Sequence, residues 1–194
     1  MTSQMHLRGP APDPDPVIAA RPIGSDIETQ DGPYGLATAT FDPTRMYRYR
    51  LSRVWDPTAA RVNFLMLNPS TADAFVLDRT VRHCVGYAQA WDAGALEVTN
   101  AYAFRATRPR DMKTAADPVG PGNDDAIVAA ARAADLLVLA WGTHATYRGR
   151  EAHLLELLAA IGARPQRLAI TKGGHPRHPL YVPRSAVLSP HPLS

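Results

Sequence analysis

The chain has 194 residues, 45% of them hydrophobic, enough to bury the core of one domain. Its 21 lysines and arginines against 18 aspartates and glutamates leave a net charge of +3, which permits nucleic-acid contact without dictating it. A single cysteine, Cys84, excludes an internal disulfide framework and a cysteine-rich metal site, and no apolar window approaches a membrane span, so a reducing, cytoplasmic setting is expected.

Residues 1–30 read as a disordered leader, because "RGPAPDPDPVIAARP" is crowded with Pro and Asp and has no period of 2 or 3.6. A single α/β domain is expected over 31–194. "YGLATATFD" and "MYRYRLSRVW" read as two antiparallel strands around the turn Asp42-Pro43-Thr44, a hairpin at a sheet edge. Arg45, Arg48, Arg50 and Arg53 read as solvated surface arginines.

Strand and helix signals then alternate. "VNFLMLN" is a nearly continuous apolar run, as suits a parallel strand covered on both faces. Asp78 offers an N-cap to a helix carrying Val81, Cys84, Val85, Ala88 and Trp91 at helical spacing. "ALEVTNAYAF" is the second such strand and leads into a Pro/Arg-rich loop, residues 105–122. Asn123 or Asp124 caps a helix with Ile127, Val128, Ala131 and Ala134 on one face. "DLLVLAWG" is the third strand, residues 150–161 a helix, and "RLAIT" the fourth strand, with "KGGHPRHPLY" directly after it. The expectation is a three-layer α/β/α domain with a mostly parallel four-stranded central sheet and an N-terminal antiparallel hairpin.

In such sheets, ligands bind outside the carboxyl ends of the strands. The residues just beyond each predicted strand are therefore informative: Asn68-Pro69-Ser70-Thr71, then Asn100 continuing to Arg105, then Gly142-Thr143-His144, then residues 173–179 with His175 and His178. Each piece has a plainer role open to it. Asn68 and Ser70 suit a turn, Asn100 a buried amide, and His144 a structural contact. A zinc site has weak support, with one Cys and no HExxH, and no cofactor is expected. The chain lacks GxGxxG, GxxxxGK[ST] and GxSxG, which removes dinucleotide, P-loop and nucleophile-elbow chemistry. There remains a rim of amides, hydroxyls and imidazoles near Asp73, Asp78, Asp117 and Asp124, suited to hydrogen-bonding a heterocycle and positioning water.

"RYRLSRVW", "MLNPSTAD", "LDRTVRHC", "DPVGPGND", "AWGTHA" and "GHPRHPLY" together resemble the family known as domain of unknown function 1643, over about residues 34–183. More distantly, the order "NPS", "TN", "LLVLAWGTHA", "HPRHPLY" is similar to the uracil-DNA glycosylase superfamily. That resemblance implies a glycosylase-like fold and hydrolysis of the N-glycosidic bond of a damaged or modified DNA base. It assigns Asn68 to the attacking water, Asn100 to reading the base, and His175 or His178 to the departing base. It makes Arg105, Arg108, Arg110 and Lys113 contacts to DNA phosphates. Pro69, Ser70, Thr71 and His144 would complete the substrate site. The chain departs from the superfamily at Met66 and Ser70, where glycines are usual. It departs again in its final loop, and "SPHPLS" at 189–194 offers a second histidine motif. A non-catalytic module for a modified base or nucleotide, and an enzyme acting on a free nucleotide or other small metabolite, use the same rim.

Overall fold

The computed structural model describes residues 24–71, 74–76 and 78–193. Among these, eight strands form one mixed sheet: β1 (Asp26–Gly32), β2 (Gly35–Phe41), β3 (Arg48–Val54), β4 (Arg61–Met66), β5 (Ala95–Asn100), β6 (Leu136–Leu139), β7 (Gln166–Arg167) and β8 (Ser189–Pro190). Their order is β1-β2-β3-β5-β4-β6-β7-β8. The helices are α1 (Arg79–Ala90), α2 (Pro109–Thr114), α3 (Asn123–Ala133) and α4 (Arg150–Ala160). None of them is long and apolar enough to cross a membrane.

The apolar run of β4 is buried on both faces because successive side chains point opposite ways. Val62, Phe64 and Met66 pack in one cluster with Val81, Cys84, Val85, Tyr87 and Ala88 of α1. Leu65 packs in the other with Ile127 of α3 and Leu154 and Leu158 of α4. The expected parallel strands are all present, running β5-β4-β6-β7. The sheet is nevertheless larger and more antiparallel than expected. β1-β2, β2-β3, β3-β5 and β7-β8 all pair antiparallel. The fourth parallel strand departs from "RLAIT": regular pairing covers Gln166 and Arg167, so only the first residue of that segment belongs to it.

The hairpin forms where expected, but it does not lie at the edge. β3 is flanked by β2 and β5, and the edge is β1, whose residues begin inside the segment expected to be leader. Residues 1–23 lie outside the described residues, so only the last part of that expectation meets a structure. β1 reads "DIETQDG" and is mostly exposed, the polar composition that guards a sheet edge against unwanted pairing.

The arginines of β3 depart furthest from expectation. Arg48, Arg50 and Arg53 are buried, and of the four only Arg45 is on the surface, paired with Glu28. Arg50 Nε donates to the carboxylate of Glu97 on β5. Arg53 donates to the Ala74 carbonyl at 2.6 Å, holding the segment that leads into α1. Between β2 and β3 the register shifts: Thr40 opposes Arg50, but Phe41 opposes Arg48. The extra residue is Tyr49. A β-bulge of this kind reverses the face of the side chain beyond it. Arg50 therefore meets Glu97 on one face, while Arg48 joins Met66, Val98 and Val81 on the other.

Gly94 marks how closely the turn before β5 is packed. A Cβ there would stand 1.9 Å from the Asp56 carbonyl oxygen, where Trp55 and Asp56 N–H groups donate to the Gly94 carbonyl. Gly94→Ala is expected to destabilise by about 1–3 kcal/mol, read as a lower urea midpoint with an unchanged slope.

Candidate functional site

From β4 the chain crosses by α1 to β5 on one side, and later returns to β6 on the other. The carboxyl end of β4 is thus a topological switch point, where open α/β sheets hold ligands. A cavity of about 580 Å³ lies there, within the usual size range for a small-molecule site. Its walls come from the ends of β4, β5 and β6, from Arg48 of β3, from the loop at 106–109, from the 171–181 segment, and from the start of α1.

Asn68 is part of its lining. Its Nδ2 donates to the carbonyls of Pro69 (3.1 Å) and Ala106 (2.7 Å), which fixes the amide and leaves Oδ1 as its acceptor. The loop behind it is laced to residues 105–107. Ala106 N–H donates to Pro69 O, Thr71 Oγ1 meets Thr107 Oγ1, and Arg105 Nη2 donates to Thr71 O at 2.9 Å. Asn68 and Ser70 line the cavity, whereas Pro69 and Thr71 lie outside its lining and brace the turn.

Asn100 ends β5 and is buried. Asn123 donates to the carbonyls of Asn100 and Ala101, and Arg150 Nε to that of Ala101 at 2.6 Å. The Asn100 side chain makes no hydrogen bond to the described residues and lines the cavity. Asn123 is therefore a strut for β5 and not the expected helix cap. Gly122, in the left-handed conformation, occupies that position, and Asp124 pairs with Arg150 and His153.

The two histidines of "HPRHP" part company. His178 lines the cavity, and its Nδ1 accepts the Leu180 N–H at 3.3 Å at the start of a 3-10 turn, Pro179–Tyr181. An accepting Nδ1 leaves the proton on Nε2, so the ring is a neutral donor. Burial pushes its pKa below the usual histidine value, against the opposing pull of Asp78, and His83 adds to the lowering. His175 lies outside the lining. Its Nδ1 meets Glu151 Oε2 at 2.6 Å, and Glu151 Oε1 accepts from Trp141 Nε1 at 2.9 Å, clamping the end of β6 to α4. His191 of "SPHPLS" comes directly after β8 and packs on Trp141 and Arg167, also outside the cavity.

His144 lines the cavity 3.5 Å from Lys113, and burial and then Lys113 lower its pKa. The loop after β5 reaches the cavity through Ala106, Thr107 and Pro109, but its basic side chains do not gather there. Arg105 donates to the Arg45 and Thr71 carbonyls, Arg110 lies 3.4 Å from Asp111, and neither these nor Arg108 and Lys113 line the cavity. Of the carboxylates, Asp78 lines it while its Oδ1 caps Val81 N–H at 2.8 Å. Asp117 caps a loop, and Asp73 lies outside the described residues. Among the described residues, no three His, Cys, Asp or Glu side chains are placed to hold a metal. Burial pushes the Cys84 thiol well up, removing it as a nucleophile.

Sequence reasoning missed Arg48, Thr80 and Tyr181. The one signal available for Arg48 was the crowding of three arginines onto one seven-residue strand.

A family model described as "Protein of unknown function (DUF1643)" matches residues 48–180. No curated protein matches the chain. Among solved structures, it is similar to the crystal structure of an α/β serine hydrolase without a lid from Xanthomonas campestris, at 19% identity and a TM-score of 0.30. That alignment covers 74% of this chain and 59% of the other, so the chain spans less than two thirds of its length. A likeness at that level bears on no chemistry.

Proposed function

We propose, for a chain that belongs to the DUF1643 family of unknown function, that the switch-point cavity takes a nucleobase and hydrolyses its N-glycosidic bond. The base is carried by DNA or by a nucleotide, in a reducing cytoplasmic setting. The likeness to uracil-DNA glycosylases belongs to this same proposal. What carries it is the meeting of the Asn68 acceptor, the Asn100 amide and the His178 donor in one cavity.

The three groups divide the chemistry between them. Asn100 has donor and acceptor on one planar amide, matching the edge of a pyrimidine or purine. Asn68 Oδ1 accepts a hydrogen bond from water and aims its oxygen at the anomeric carbon. The carbon–nitrogen bond breaks with its electron pair leaving on the base, and the water oxygen bonds to the sugar. Asn68 cannot take up a proton, so that proton goes to solvent. His178 Nε2–H faces the negative charge growing on the base, the charged state that such donors stabilise.

The test is release of free base from oligonucleotides carrying uracil, hypoxanthine, xanthine or mismatched thymine, and from the matching nucleotides. Asn68→Ala is expected to slow release by roughly a hundredfold with little change in KM, because it acts on water and not on the bound base. Release that persists undiminished in Asn68→Ala would sink the proposal. A non-catalytic module would instead bind these probes and release nothing.

A further inference from the structure

Arg48 is 5% exposed, its Nε is sealed without an acceptor, and it makes no side-chain hydrogen bond or ion pair with the described residues. A buried cation without a partner is costly and persists where something supplies the missing charge. Its position is not an accident of strand alternation, since the bulge at Tyr49 turns it onto the cavity face.

We infer that Arg48 is the anion subsite of the cavity and holds the terminal phosphate of a nucleoside monophosphate. The nucleoside half of this inference rests on the function proposed above, whereas the anion half rests on Arg48. Burial lowers its pKa to about 10, with Arg105 and Arg53 adding to the lowering and Asp78 opposing it, so it stays charged at neutral pH. Two other guanidinium groups thus bias its surroundings, against one carboxylate whose Oδ1 is committed to Val81. Arg177, exposed, adds a further guanidinium to the lining. Depth selects the kind of phosphate. A backbone phosphodiester is tethered through two oxygens and cannot be drawn down to a guanidinium so enclosed, whereas a terminal phosphate has a free end. The loop at 105–113 reaches the lining through Ala106, Thr107 and Pro109, while its basic side chains stay off it, which fits the same choice.

The experiment is calorimetric titration of the full chain and of Arg48→Met and Arg48→Lys. The probes are uridine, inosine, their 5′-monophosphates, inorganic phosphate and a uracil-containing single-stranded oligonucleotide. Monophosphates are expected to bind the unaltered chain at least about tenfold tighter than nucleosides, the worth of one charge-assisted contact. Arg48→Met is expected to erase that gap and Arg48→Lys to keep part of it. Equal affinity for nucleoside and monophosphate, or a gap surviving Arg48→Met, would overturn the subsite. Failure of phosphate and monophosphates alike to bind would do the same. Oligonucleotide binding tighter than the monophosphates and lost in Arg48→Met would overturn the choice of a terminal phosphate. Arg48-dependent binding of inorganic phosphate, without any effect of the base, would support the subsite while removing the nucleoside reading. Misfolding of Arg48→Met is not expected: losing an unpartnered buried charge should leave the ligand-free melting temperature unchanged or higher.

Discussion

Base release by His178→Ala is expected to fall by about 10²-fold or more, while His175→Ala keeps most of its rate and loses stability instead. The two residues stand three apart in the same proline-rich loop, so any difference must come from what each ring touches. His178 has Nδ1 occupied by the Leu180 N–H, which leaves Nε2–H to a ligand in the cavity. Removing one donor to developing negative charge costs roughly 10²–10³ in turnover. His175 spends Nδ1 on Glu151, which also holds Trp141, so its loss loosens the end of β6. Single-turnover release and thermal melting, measured on both variants, separate the two roles. The opposite ranking would remove His178 from the mechanism.

Acid titration sharpens the same prediction. The folded pKa of His178 is lowered, chiefly by burial, from an ordinary value near 6.5. Between the folded and unfolded values, the unfolded chain binds the extra proton and the native one does not. His178 therefore makes stability rise with pH across that window and takes stability away as pH falls below about 6.5. Protonation would set a second N–H against the Leu180 N–H and turn the ring out of place, so under the proposed chemistry the acid limb of turnover should have a midpoint below 6.5 and be absent from His178→Gln. An acid limb unchanged in that variant would assign the titration elsewhere.

Much of this site was legible because parallel strands advertise themselves. The run "VNFLMLN" is apolar at successive positions, and its two-faced burial between α1 and the α3–α4 pair is the direct consequence. Once the parallel strands are placed, their carboxyl ends bring Asn68, Asn100 and His144 together without knowledge of any side-chain contact. The hidden part depends on partners distant in sequence. His175 and His178 look equivalent until Glu151 claims one of them. Arg48 and Arg50 look like one exposed stripe until the extra residue in β3 sends them to opposite faces. β1 and β8 carry little apolar signal of their own and become strands because β2 and β7 offer them a free edge.

Glu97→Ala should be the most damaging single substitution away from the cavity, costing about 3–5 kcal/mol. Glu97 is 0% exposed and Arg50 2%, so breaking the pair strips a buried cation of its carboxylate in a site that water cannot enter. For a domain of this size the loss corresponds to a fall in melting temperature of roughly 6–20 °C. Arg50→Met should be comparably severe, since the carboxylate is then the group left buried. The double substitution Arg50→Met/Glu97→Leu should recover most of the loss, because two apolar chains of similar volume need no compensation. Additive losses in that cycle, measured by denaturant midpoints, would show that the pair is not coupled. The pair also bears on the site. Glu97 lies opposite Ser52, so Arg50 reaches it diagonally across the β3–β5 ladder. A slip of one residue in that ladder would turn Glu97 onto the α1 face and Asn100 out of the cavity. If the ion pair secures the register, the double variant should be stable yet bind nucleoside more weakly. If packing alone secures it, binding should be unchanged.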